Sequence, residues 1–162
     1  MIEDYLAVAN RIRQELSELE RVVRRADRAI SAIQQRPEDQ DLYIDSAVLS
    51  LHDFYAGLER IFHRIATTID GSLPVGQGWH RNLLQQMQTD FSDLRPPVLS
   101  AEAANALDEF LRFRHVVRNI YAFQFDPERV ARLVQLLPPV FHQAQMELLA
   151  FAEFLEQVGN ST

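Results

Sequence analysis

The sequence predicts an all-α fold, an antiparallel helical bundle of five or six helices. Three observations carry this. Apolar residues recur at spacings of three and four over long stretches, no stretch alternates with period two, and most of the prolines and glycines fall at the joints. At 162 residues the chain suits one domain, 1–162, built on one core.

The first helix is expected over about residues 2 to 35, where Ile2, Leu6, Ala9, Ile12, Leu16, Leu19, Val23, Ala26, Ile30 and Ile33 mark one face. Arg36-Pro37 ends it, because proline disfavours a helical predecessor. The second has the cleanest pattern: Ile44, Val48, Leu51, Tyr55, Leu58, Phe62, Ile65 and Ile69 step four, three, four, three. That is a heptad-like seam, which serves a core or an interface equally well. Asp70-Gly71 stops it, with glycine in the usual position just past a helix end.

A loop from Gly71 to Gly78 follows, and then a shorter helix from Trp79 to about Phe91. Arg95-Pro96-Pro97 is a second break. Ser100 reads as the N-cap of a fourth helix, with Glu102 in its first turn, expected to reach about Tyr121 or Phe123. Asp126-Pro127-Glu128 reads as N-cap, N1 and N2 of the next. Pro138-Pro139 interrupts the apolar pattern there, so the last helix is expected to be kinked or split before it resumes through Leu148, Phe151, Leu155 and Val158.

Composition narrows the function. With no cysteine there is no disulfide and no thiolate metal site, which fits a reducing cytoplasm. The start, Met1 to Tyr5, is acidic and no apolar h-region follows, so no secretion signal is expected, and the sequon Asn160-Ser161-Thr162 is discounted. No apolar run approaches the roughly 18 residues that span a membrane. The net charge is −7, so any RNA binding must come from a local basic cluster. All sixteen basic residues are arginine, whose planar fork suits phosphate, although codon bias explains the same fact.

Common sites are excluded in turn. A di-iron bundle needs two Glu-x-x-His pairs, whereas Glu59 with His63 has the wrong spacing and occurs once. There is no His-Glu-x-x-His and no P-loop, and Gly76-Gln77-Gly78 is too short for a nucleotide fingerprint. No metal or other cofactor is expected. What remains is Arg112 to Tyr121, with three arginines, a histidine and a tyrosine. On a helix, Phe110, Phe113, Val117 and Ile120 form the buried stripe. Arg114, Arg118 and Tyr121 fall on its edge, and His115 and Asn119 on another side. The plain reading is a solvated face with surface ion pairs. Arginines bordering a core, however, need a partner, an interface or a ligand, and phosphate is one such ligand.

Arg114, four residues, Asn119, one residue, Tyr121 resembles the Arg-x4-His-x-Tyr motif of HEPN ribonuclease toxins, with asparagine in the histidine slot. Asp45-Ser46, Leu51-His52-Asp53-Phe54-Tyr55, Gly57-Leu58-Glu59, Trp79-His80, Phe113-Arg114-His115 and Phe125-Asp126 are similar to the HepT-like branch of that family, over roughly residues 40 to 130.

The resemblance implies a HEPN-type bundle and a metal-independent RNA endonuclease. It implies a toxin that acts on RNA such as tRNA and works as a homodimer in which the motifs of both subunits meet. It also implies an MNT-type nucleotidyltransferase antitoxin that silences the toxin by AMPylating the motif tyrosine, here Tyr121. The catalytic positions become Arg114 and Asn119, and RNA binding falls to Arg114, His115 and Arg118. The chemistry suits the residue types. The neighbouring 2′-hydroxyl can attack the phosphate, a histidine moves protons near neutral pH, and an arginine offsets charge in the transition state.

Asparagine does not titrate usefully, so a weakened or inactivated nuclease is expected. His115 is a candidate substitute base and His80, beside Trp79 at a predicted helix start, a candidate to face the same cleft, each with a structural role as the plainer reading. On an unbroken helix positions 114 and 119 lie about 140° apart. Either the helix ends near Asn119 or the site combines two chains. The alternative function is a non-catalytic HEPN-fold module that binds RNA or a protein.

Overall fold

The computed structural model describes residues 2–161, with Ala122 described by its backbone alone; Met1 of the acidic start and Thr162 of the sequon lie outside the described residues. Five α-helices are described: α1 Ile2–Gln35, α2 Gln40–Arg64, α3 Trp79–Gln88, α4 Ala101–Val117 and α5 Pro127–Asn160. Among the described residues there is no β-strand, only an isolated bridge between Phe91 and Arg95. The bundle is all-α, as the periodicities require.

The predicted α1 face is buried from Ala9 to Ala26, joined by Val8 and Ala29, while Ile2 at its start is exposed, and the α2 seam is buried along its length from Ile44 to Ile69. The two helices run antiparallel. Arg60 on α2 reaches Glu15 on α1 through Nε and Nη2, at 3.1 and 2.8 Å. Gly57 lets them close, since a Cβ there would lie 2.5 Å from a Leu19 methyl. At its far end α1 meets the start of α2, where Arg28 and Ala32 share a hollow with Tyr43 and Ser46. α5 is antiparallel to α1 as well: Arg13 makes a two-point ion pair with Glu156, while Asp27 and Ile30 face Glu128 and Arg132.

The end of α2 departs from a simple helix. Ile65–Asp70 winds as a π-helix, and Gly71 closes it at φ 68°, the left-handed conformation anticipated for that glycine. Ser100 caps α4, its hydroxyl accepting from the Ala103 N–H at 3.1 Å, and Glu147 of α5 holds Ser100 through both backbone and side chain. Asp126 caps α5 through the Glu128 N–H at 3.0 Å.

Two expectations are corrected and a third is narrowed. Helix α4 stops at Val117, short of Tyr121, because the Asn119 side-chain amide donates to the His115 carbonyl at 2.6 Å, the acceptor its own N–H would use in a longer helix. The Asn119 N–H turns to Val116 O instead. Tyr121 therefore lies off the helix, and not on the edge of its buried stripe. Helix α3 stops at Gln88, before Phe91, where Thr89 turns extended. The Met87 carbonyl takes the N–H groups of Val98 and Leu99, so the chain turns back onto α3. Helix α5 is not split, since Pro138 and Pro139 sit inside one continuous helix. Both prolines are exposed, while Leu133, Val134, Leu137, Phe141 and Ala144 stay buried across the interruption.

The loop after α3 is fastened by Arg95, which is buried with its side chain fully covered. Its guanidinium donates to both oxygens of Asp70, at 2.6 and 2.8 Å, and to the carbonyls of Gln86, Thr89 and Pro96. All five N–H groups are satisfied. Asp70 ends the π-helix, so this one ion pair ties α2, α3 and the following loop together. Removing one partner of a buried pair costs about 3–5 kcal/mol. Arg95→Ala is expected to lower the melting temperature by on the order of 10 °C. A melt within two degrees of the parent, read by circular dichroism, would show that the pair does not hold the loop.

Candidate functional site

Glu59 is a carboxylate on the buried side of α2, one turn beyond Tyr55 of the seam, and only 7% exposed. Its two oxygens are divided. Arg114 Nη1, from the last turn of α4, donates to Oε1 at 2.6 Å. His80 Nδ1, from the first turn of α3, lies 2.7 Å from Oε2. A carboxylate only accepts, so the proton of this second bond resides on Nδ1. The 3.0 Å approach of Arg114 Nη1 to Nδ1 is then a close contact between two donors that share one carboxylate. Trp79 stacks on the His80 ring with centroids 3.6 Å apart. Three helices thus converge on one charge.

The bonding leaves groups over. Arg114 Nε is buried and unbonded. Among the described residues neither Arg114 Nη2 nor His80 Nε2 has a hydrogen-bond partner, and neither atom is sealed from solvent. Both side chains line a groove of about 550 Å³. Five arginines and two histidines border it and no carboxylate does: Arg81 from α3, Arg112, Arg114 and Arg118 from α4 and its end, Arg129 from α5, with His80 and His115. Asp108 engages Arg81 and Arg112 from outside, and Arg129 lies over the Phe113 ring at 5.5 Å. Arg118 is exposed and has no carboxylate partner among the described residues. In a chain of net charge −7 these five arginines make a local cluster of positive charge.

The sequence-predicted residues are only partly brought together. Arg114, His115 and Arg118 line the groove. Asn119 is exposed just beyond it, with its side chain committed to the His115 carbonyl, and has no contact with Arg114. The helix ends near Asn119, yet within one chain the two side chains are not brought together. Tyr121 is 72% exposed and stacks on Phe123, itself 85% exposed, with rings 5.5 Å apart and 7° from parallel. Among the described residues no group of three or more His, Cys, Asp or Glu converges as a metal site, and no helix is long and apolar enough to cross a membrane.

Glu59 was missed as a site residue. The sequence held the signal, a carboxylate four residues after Tyr55 and three before Phe62, hence on the seam side of an otherwise apolar face. Arg81 and Arg129 were missed as well, because nothing in their local sequence separates them from surface arginines.

The bundle thus carries an arginine-rich groove at the end of α4. The family model for HepT-like protein matches residues 46–155, about two thirds of the chain, and the chain belongs to the HepT-like family. Neither the curated proteins nor the solved structures contain a match.

Tyr55 lies beneath the site with its hydroxyl buried and unbonded. Burial first, and the Glu59 carboxylate second, raise its phenol far above the usual range. The folded state therefore favours the protonated form. Its stabilising contribution is complete below the unfolded value of about 10 and falls as pH rises past it. Tyr55→Phe removes an unsatisfied polar atom and is expected to match or exceed the parent's stability by about 1 kcal/mol, with a flatter decline above pH 10. Denaturant unfolding at pH 7 and pH 10.5 checks this, and a loss at pH 7 would mean that the hydroxyl has a partner.

Proposed function

We propose that this chain is the toxin of a HEPN/MNT-type toxin–antitoxin pair, a metal-independent RNA endonuclease acting on RNA such as tRNA, weakened by Asn119. The basic groove is the observation that carries the reading, because it offers an RNA backbone several cations and no carboxylate stands in its lining. Arg114 is the phosphate clamp. Glu59 occupies Nη1 and leaves Nη2 for the ligand, so the clamp is positioned before substrate arrives. Arg118 and His115 extend contact along the backbone.

In this reading Asn119 stands where a proton-transfer histidine belongs. Its amide holds hydrogen bonds but moves no proton. Tyr121 is the AMPylation target of an MNT-type nucleotidyltransferase antitoxin, and its exposure leaves the hydroxyl within reach of a second protein. The working form is a cytoplasmic homodimer that sets two motifs together. Asn119 also favours a second reading, a non-catalytic module that binds RNA through the same groove.

The test is cleavage of bulk tRNA in EDTA by the chain and by Asn119→His. The variant is expected to cut faster by on the order of 10²–10⁴-fold, the usual contribution of a positioned acid–base group. Binding by both proteins with cleavage by neither would select the binding module instead.

A further inference from the structure

We infer that His80 is a catalytic residue of this groove, taking the proton from the attacking ribose hydroxyl in the absence of a histidine at position 119. The inference rests on the ribonuclease reading above and deepens it.

The observations concern one ring. Its Nδ1 is tied to a buried carboxylate at 2.7 Å, which puts the proton on Nδ1 and the lone pair on Nε2. Nε2 is unbonded, is not sealed from solvent, and belongs to a residue lining the basic groove. Trp79 stacks on one face of the ring, and the shared Glu59 carboxylate fixes its distance from Arg114. An imidazole buttressed in this way loses little freedom when substrate arrives. His115, the other histidine of the groove, is exposed, and no side-chain hydrogen bond holds its ring among the described residues. Glu59 acts through His80 and is a positioning residue.

The step balances. Nε2 accepts the proton of the 2′-hydroxyl as O2′ attacks the adjacent phosphorus. The bond from phosphorus to O5′ breaks, leaving a 2′,3′-cyclic phosphate. O5′ takes up one proton from solvent, and the imidazolium returns its own to water. No oxidant, reductant or metal enters. Arg114 Nη2, anchored to the same carboxylate through Nη1, faces the charge that develops on the phosphoryl oxygens.

The experiment measures single-turnover cleavage of bulk tRNA in EDTA by the chain as it stands, by His80→Ala and His80→Gln, and by Glu59→Gln, with and without added imidazole. His142→Ala, on an exposed position of α5 outside the groove, is the control. Circular dichroism melts confirm that each variant is folded, and the glutamine variant serves if alanine unfolds the chain. The parent is expected to cut slowly and to yield cyclic phosphate ends. Both His80 variants are expected to lose about 10²-fold. Imidazole restores His80→Ala but not Glu59→Gln, whose own ring is present and only misplaced.

Undiminished cleavage by both folded His80 variants overturns the inference and leaves the ribonuclease reading standing. A silent parent beside an active Asn119→His does the same, because His80 would then supply nothing. Equal rescue of His80→Ala and Glu59→Gln also overturns it, since imidazole would be acting outside the pocket. Silence from every protein, Asn119→His included, removes the ribonuclease reading and this inference with it.

Discussion

One buried carboxylate organises this molecule's chemistry. Glu59 sits within a helix face that is otherwise apolar, where an unpaired charge would be prohibitively costly. Folding must therefore bring it cations or donors. It receives one from α4 and one from α3, and the two elements are held in register by that need. The groove is what lies on the far side of the two ligands. Its polar contents follow from how Glu59 is satisfied: each partner spends one nitrogen on the carboxylate and presents another outward.

A second buried pair does the same for the frame. Arg95 and Asp70 join the end of α2 to the loop beyond α3, so the first turn of α3, which carries His80, has little freedom to drift from α2. The glycine-bearing connection between them is left to span a distance fixed by ionic bonds at either side. Stability and site geometry are linked here through two carboxylates on one continuous helical run, α2 with its π-helical extension.

Much of the fold was legible in the sequence because helical periodicity, proline and capping residues act locally. Ser100 and Asp126 cap as their side chains dictate, and Gly71 takes the left-handed turn that only glycine adopts cheaply. The misplaced boundaries were decided by bonds that reach further. The Asn119 amide competes with its own backbone for one carbonyl, and the turn after α3 is set by Arg95 and Met87. At Pro138 and Pro139 buried side chains on both sides outweigh two lost backbone bonds. The site was half legible. Arg114, His115 and Arg118 stand out as a run, and the asparagine stands out against the Arg-x4-His-x-Tyr motif. The pairing of Glu59 with two helices 21 and 55 residues away has no local trace beyond a charge on an apolar stripe.

The central claim is that the groove beside Glu59 receives an RNA backbone. Trp79, the sole tryptophan, is stacked on His80, which lines that groove, and reports on it through this ring. The decisive measurement is its fluorescence during titration with a 2′-O-methyl oligoribonucleotide, which can bind but cannot be cut. A saturable change is expected, weakening with added salt by a slope of about −0.7 for each phosphate neutralised. A folded protein whose tryptophan signal ignores the oligonucleotide at low salt, or binds it without salt dependence, would contradict the account.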